Sequence, residues 1–382
     1  MNKTDRRPSK ARPVSVSVSV PAPTIMTGGL ANANGSQYRI SGGGKANGDG
    51  KPPYRVPSMT EIAALEKNGL VAADLFSGCG GSCLGFRMAG FRVAWANEFV
   101  PHAQECYKAN FPETILDCRD VRTIQPKEIL KAMRIKQGAL DVLSGSPPCQ
   151  AFSTAGQREK GWGKEKAYEH GAHQKNETLF DEFVRMLRGL LPKVFVAENV
   201  SGLAKGTCKG FFLEILAALK ASGYVVECRL LDAQWLGVPQ QRQRLIFVGV
   251  RTDIAEKCKV KPEFPSPMPY RYSVADACPW IGNRITGRIG TGYKRRPMSS
   301  LKPALAIQAT GDAQTRFEIE IEKRKFTIAE LRRICSFPDD FILVGSYAQQ
   351  WARLGNAVPP VMAAKIAETI RDKIFAACDS AA

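Results

Sequence analysis

The chain has 382 residues, and its 54 Lys/Arg against 36 Asp/Glu give a formal charge of +18, which points to a polyanionic partner, nucleic acid first. Hydrophobic residues make up 44%, enough for a sizeable core, yet no run approaches the roughly 18 uncharged apolar residues of a membrane helix, and no apolar segment follows Lys3, Arg6, Arg7 and Lys10 as a secretory signal requires. Eleven cysteines without a repeated C-x-x-C pair and only three histidines argue against a disulfide framework and a metal site, and for a reducing, cytoplasmic setting.

Residues 1–57 read as a disordered basic tail, rich in Gly, Asn, Ser and Pro, with nine Lys/Arg against two Asp/Glu and too few aromatics to offset ordering entropy. A helix is expected over 58–68, opened by Ser58 with Glu61 three residues on, a capping box. Apolar segments of strand length follow at 70–76, 92–98, 139–145, 193–200, 224–231 and 244–250, with helical stretches at 101–110, 126–135, 177–190 and 210–222 between several of them. The alternation predicts an α/β fold, a mostly parallel sheet covered on both faces. Only residues 232–243, ending in VPQQRQ, separate the last two strands, too little for a crossover helix, so that pair is expected to be antiparallel. Residues 251–325, with five prolines in 262–279 and a Gly/Arg/Lys-rich stretch at 282–300, read as a small, irregular, basic insertion. Helices return at 327–337, 347–354 and 359–377.

The chemistry-bearing residues cluster at strand ends. The first strand runs into DLFSGCGGSCLGF, a strand, glycine turn and helix of the kind that admits a nucleotide. Glu98 closes the next strand, twenty residues after Gly78, where a carboxylate can accept from both ribose hydroxyls; Asp120 follows the third strand region. These features fit a nucleoside cofactor, NAD or S-adenosylmethionine. The fourth strand ends in GSPPCQAFS, with two prolines fixing the backbone before Cys149. The fifth ends in Glu198 and Asn199, and VPQQRQR puts Arg242 and Arg244 on one face if extended. Cysteine, carboxylate and arginine thus converge beside the glycine turn.

DLFSGCGG, GSPPCQAFS, ENV, GVPQQRQRLIFVG and RLGNAVPP occur in this order, and over residues 69–372 the sequence resembles the DNA (cytosine-5) methyltransferases. The resemblance implies a Rossmann-like S-adenosylmethionine-dependent methyltransferase fold, with a cofactor-binding catalytic domain over 58–250, a small target-recognition region over 251–325, and C-terminal helices over 326–382 completing the core. It implies that the Cys149 thiolate adds to C6 of a flipped-out cytosine, that Glu198 holds N3 and the exocyclic amine, that Arg244 bonds O2 with Arg242 in support, and that Asn199 orients the loop carrying Cys149. For S-adenosyl-L-methionine it implies Phe76, Gly78, Gly80 and Gly81 along the methionine and ribose, Glu98 on the ribose, Asp120 and Val121 on the adenine, Pro147 by the sulfonium, Leu179 packed on the adenine, and Asn356 completing the pocket. Gln150 and Ser153, with Arg284, Arg288, Lys294, Arg295 and Arg296, are the expected contacts to double-stranded DNA, mostly to phosphates. Residues 156–176, with His170 and His173 read as loop polarity, resemble a lid over the flipped base. The resemblance suggests a monomer, either paired with a cognate restriction endonuclease or solitary, and the composition suggests no metal and no membrane partner.

Two departures bear on target recognition. Ala329–Glu330 stands where Arg-Glu is usual, which predicts looser support of the recognition region, and Asp232 stands where Asn is usual. The alternatives are a tRNA cytosine-C5 methyltransferase, against which stands the lack of a late Cys-Phe-Thr tripeptide, a catalytically silent DNA-binding regulator, and a NAD oxidoreductase, which leaves SPPCQ and ENV without a role.

Overall fold

The computed structural model describes residues 51–148, 179–204, 210–281, 299–309 and 324–380 with their side chains, and the backbone alone of Lys209 and of short strands at 30–31, 37–38, 166–167, 173–174, 284–288, 295–298 and 317–319. Met1–Gly50 and Lys51–Ala382 are separate units, and the first contributes one antiparallel pairing of Leu30–Ala31 with Gln37–Tyr38.

A seven-stranded sheet organises the second unit: β1 (Val71–Leu75), β2 (Arg92–Asn97), β3 (Ile115–Asp117), β4 (Val142–Gly145), β5 (Val194–Val200), β6 (Tyr224–Asp232) and β7 (Gln243–Arg251), in the order β6-β7-β5-β4-β1-β2-β3. The β1–β5 pairings are parallel, and β7 runs antiparallel to both β6 and β5. The short connection before β7 forces this reversal, because a parallel return needs a crossover of a dozen or more residues. Alternate strand residues enter opposite cores: Ala72, Val142, Val194 and Val196 in one, Ala73, Leu143, Phe195 and Ala197 in the other. Burial on both faces is why these strands read as continuous apolar runs.

The first core is closed by α2 (Gly81–Met88), α3 (Pro101–Asn110) and the returning helices α9 (Ile328–Ile334), α10 (Tyr347–Asn356) and α11 (Pro360–Ile370). The second is closed by α4 (Pro126–Met133), α5 (Leu179–Leu190) and α6 (Lys209–Lys220). The first core depends on Gly85: a Cβ there would lie 2.4 Å from Ala363 Cβ and 2.6 Å from the Pro360 carbonyl, so α2 and α11 touch backbone to backbone.

Four expectations are corrected. Helix α1 (Met59–Ala64) has the Ser58/Glu61 capping box but ends four residues before 68. The tail boundary at 57 falls too late: Lys51 pairs with Asp276 at 2.7 Å, and the Tyr54 hydroxyl donates to the Arg333 carbonyl at 2.7 Å while its ring packs edge-on against Tyr272. The insertion is not irregular. After α7 (Thr252–Cys258) and α8 (Val274–Ala277) it forms an antiparallel sheet of β8 (Arg284–Arg288), β9 (Arg295–Ser299), β10 (Phe317–Ile319) and β11 (Arg324–Lys325), in the order β9-β8-β10-β11. Finally, Cys258 at the end of α7 is disulfide-bonded to Cys378 in α12 (Ala376–Asp379), where the cysteine pattern predicted free thiols.

Candidate active site

Strand register brings the motifs to one edge. Asn97, Leu75, Gly145, Ala197 and Phe247 are successive cross-strand partners across β2, β1, β4, β5 and β7. One residue further along this row lie Glu98, Phe76, Ser146 and Glu198, and three residues back along antiparallel β7 is Arg244. This carboxyl edge of the parallel strands, outside β1 and β4, is where open α/β sheets bind ligands.

The glycine turn is shaped by left-handed backbone at Phe76 (φ 57°), Gly78 (φ 59°) and Gly80 (φ 96°). Its glycines serve different ends. A Cβ on Gly78 would meet nothing within 4 Å, so this residue borders open space. A Cβ on Gly80 would strike the Phe111 ring at 2.3 Å, and one on Gly81 the Val358 carbonyl at 2.2 Å, so those two are required by packing. Asp74, buried below the turn, accepts from Ser82 Oγ at 2.7 Å and from the Cys83 thiol at 3.0 Å, holding the first turn of α2 to β1.

Glu98 is 7% exposed, and each carboxylate oxygen accepts one backbone N–H at 2.7 Å, Oε2 from Gly78 and Oε1 from Val100. A carboxylate has about four acceptor sites, so with the Phe99 amide also drawn to it at least one remains for a ribose hydroxyl. Burial pushes the Glu98 carboxyl above its usual range, against the Val100 and Gly78 amides and the Arg353 charge. Asp120 caps the 3₁₀ turn Val121–Thr123 and pairs with Arg122 at 2.6 Å. Arg185, from α5, donates to the Val121 carbonyl at 2.8 Å and the Ile124 carbonyl at 3.0 Å, fixing that turn.

At the other end Glu198 and Arg244 form an ion pair, Oε1 to Nε at 2.7 Å, with side chains 14% and 16% exposed. They lie diagonally on antiparallel neighbours, since Ile246 is opposite Glu198 and Arg244 opposite Val200. Buried Asn199 donates to the Pro147 carbonyl at 3.3 Å and accepts from the Val200 N–H, which ties β5 to the loop two residues before Cys149.

The profile of the C-5 cytosine-specific DNA methylases matches residues 70–278 and 280–372. This chain belongs to that family. A type II methyltransferase of Haemophilus parahaemolyticus, M1.HphI, is 33% identical over 79% of this chain and 86% of its own length, and M.NgoFVII of Neisseria gonorrhoeae is 30% identical over 78% and 85%. Among solved structures, a DNA modification methyltransferase encoded within an E. coli prophage matches with a TM-score of 0.58 at 21% identity, over 80% of this chain and 100% of that one. DNMT2 of Spodoptera frugiperda matches with a TM-score of 0.56 at 19% identity, over 80% and 100%. Those two likenesses concern the fold. The chain is thus a DNA cytosine-5 methyltransferase, and among its described residues no helix is long and apolar enough to cross a membrane.

Within this methyltransferase the two arginines of Q-x-R-x-R part company. The chain bends between Gln240–Gln241, paired with Ala304–Leu305, and β7. Arg242 is 2% exposed and donates to the Ile307 carbonyl at 3.0 Å and the Gly355 carbonyl at 2.9 Å. Burial, with Arg244 nearby, pushes its pKa down to about 9. Leu179, expected against the adenine, has no exposed surface and packs in the second core. Pro147 is buried and Asn356 is exposed at the end of α10. Ala329 does not leave Glu330 without an arginine partner, because Arg324 binds it at 2.7 and 2.8 Å. Asp232 accepts from the Gln234 amide at 2.7 Å and caps the turn after β6. Cys149, Gln150, Ser153, Lys294, and His170 of the expected lid lie outside the described residues, while Arg284, Arg288, Arg295 and Arg296 are placed by backbone alone. The sequence reading missed Asp74, Arg185 and Arg353. Asp74 stood inside the DLFSG motif as a signal, whereas the other two act through partners remote in sequence.

Proposed function

We propose that this methyltransferase transfers the methyl group of S-adenosyl-L-methionine to C5 of a cytosine flipped out of double-stranded DNA, through a covalent bond between Cys149 and C6. The observation that carries the reading is the meeting, on one sheet edge, of the Glu198–Arg244 pair with the Gly78–Glu98 cradle, on either side of the loop that leads to Cys149. Cytosine C5 is a poor nucleophile. Addition of the Cys149 thiolate to C6 forms the S–C6 bond and moves the C5–C6 π electrons toward C5. Glu198 binds N3 and the exocyclic amine and steadies the charge that develops there, and Arg244 donates to O2. The cofactor supplies an electrophilic methyl group to C5. A base, water, then takes the C5 proton, the double bond re-forms and Cys149 leaves. The residues fit the cofactor: Glu98 keeps acceptor capacity beyond its backbone amides, Gly78 leaves the turn open, and Asp120 and Val121 flank the adenine side.

The type II relatives favour a place in a restriction–modification pair with a cognate endonuclease. The deciding experiment is expression in a methylation-free host followed by bisulfite sequencing of DNA and RNA. Protected cytosines in one short DNA motif, lost in Cys149→Ser, are expected. Protection confined to tRNA would favour an RNA substrate, and full protection in Cys149→Ser would remove that residue as the nucleophile.

A further inference from the structure

The four-stranded recognition sheet has two unlike faces, and one described ion pair fixes which of them meets the catalytic domain. Residues directly opposite on antiparallel strands share a face, and neighbours along a strand alternate. Arg324 is opposite Ile319, Ile319 opposite Ile285, Ile285 opposite Met298, and Phe317 and Arg296 flank Gly287 in the parallel row. That face therefore holds Ile285, Met298, Phe317 and Ile319. The other face holds Lys325, Glu318, Thr286, Arg284, Arg288 and Arg295, with Pro297 as its one apolar strand residue.

Arg324 binds Glu330 through its two terminal guanidinium nitrogens, at 2.8 and 2.7 Å. Glu330 is 1% exposed in α9 of the catalytic domain, accepts from the Thr327 N–H at 2.7 Å, and receives the indole N–H of Trp280 at 3.0 Å. Trp280 in turn lies under the Arg333 guanidinium, 4.9 Å from its ring centroid. The apolar face is thus the one pinned to the catalytic domain.

We propose that the Arg324–Glu330 pair positions this sheet so that the face carrying Arg284, Thr286, Arg288 and Arg295 meets the DNA, and that Arg296, although basic and adjacent, belongs to the packing face. The inference rests on the DNA substrate proposed above. It divides the basic residues of this region by strand register, a division invisible in the order of the sequence.

The test is the salt dependence of binding to a random 30-base-pair duplex, with S-adenosylhomocysteine present. Each phosphate contact contributes about 0.9 to the slope of log K against log salt, roughly three-fold in affinity between 50 and 200 mM. Arg288→Ala and Arg295→Ala are each expected to lower the slope by about one contact, and Arg296→Met to retain the slope of the unaltered protein. Arg324→Gln, with its cofactor analogue still bound, is expected to lose slope although the basic face is intact. A slope lowered by Arg296→Met and left alone by Arg288→Ala and Arg295→Ala would overturn the assignment of the faces. An unaltered slope in Arg324→Gln would overturn the positioning role. If the unaltered protein itself shows no salt-dependent binding to duplex DNA, the DNA reading fails first. Because variants are compared only when their thermal transition and cofactor binding are intact, a misfolded sheet is recognised as such, and Arg324→Lys, which keeps the charge but not the two-point geometry, then reports on the pin.

Discussion

Glu98→Gln isolates the cofactor side of the site, because it can be assayed without DNA. The substitution keeps the shape and removes the charge. In the native protein both oxygens accept backbone N–H groups at 2.7 Å, so the amide nitrogen of Gln must face one of these two donors. The stranded buried N–H costs about 1–3 kcal/mol of stability. Separately, at least one charge-assisted bond to a ribose hydroxyl becomes a neutral one or is lost, about 1.5–3 kcal/mol, which is a rise of roughly 10- to 100-fold in the dissociation constant. Titration calorimetry with S-adenosylhomocysteine reads the second effect and thermal unfolding the first. Acid sharpens the test. Burial raises the Glu98 carboxyl above the usual glutamate range, so it takes up its proton at a higher pH than an exposed glutamate, and cofactor affinity should fall as pH drops through that window. Apoprotein stability runs oppositely. In that window the native state holds a proton the unfolded chain has released, so this group's contribution to stability falls as pH rises. Both dependences should be absent in Glu98→Gln. A variant of reduced stability that binds the analogue within two-fold of the native affinity would mean that Glu98 only holds the turn, and the ribose assignment would be wrong.

Gly85→Ala should lower stability by at least about 3 kcal/mol in denaturant unfolding, since its new methyl meets α11 backbone, whereas Gly78→Ala, in open space, should cost only about 1 kcal/mol of left-handed strain while weakening analogue binding. Truncation before Lys51 should leave the melting temperature unchanged, and truncation before Ser58 should lower it through loss of the Tyr54 and Lys51 contacts. Under oxidising conditions peptide mapping should find the Cys258–Cys378 disulfide, and its reduction or Cys378→Ser should cost about 2–4 kcal/mol, in keeping with the long loop the bond closes. Arg242→Met should weaken both analogue binding and methyl transfer, whereas Arg244→Met should affect methyl transfer alone; equal effects would refute the division of labour between them.

The sheet and its carboxyl edge were legible because the strands are buried on both faces and end in polar residues that a core cannot hold unpaired. Three kinds of information were not local. Strand β3 has only three residues and carries Ile115 at 45% exposure at the sheet margin, so no periodicity could delimit it. The recognition sheet disperses its apolar face over β8, β9 and β10, one or two residues per strand, and reads as loop until the strands pair. Tyr54 finds its partners Tyr272 and Arg333 more than two hundred residues downstream, so composition alone assigns it to the tail.

The late Gly355–Val358 segment shows why the C-terminal helices must return to a site formed mostly by the first half of the chain. The Gly355 carbonyl accepts from Arg242, and the Val358 carbonyl occupies the space where Gly81 would carry a side chain. Four residues therefore touch the catalytic strand on one side and the cofactor turn on the other. Arg242 reaches the segment from the end of β7 that also presents Arg244 to Glu198, and its second bond, to Ile307, anchors the connection between β9 and β10 of the recognition sheet. A fully buried guanidinium is costly unless its donors are paired, and Arg242 pairs its two terminal nitrogens while its Nε finds no hydrogen-bond partner among the described residues. Here the pairing fixes three regions of the chain to one another, so the separation of cofactor turn, ion pair and recognition sheet is set by a rigid contact and not by the loops between them. Strand register spaces Glu98 and Glu198 along the sheet edge, and the Arg242 contact adds the C-terminal segment to that frame, which is why Arg242→Met is expected to act on cofactor binding and methyl transfer together.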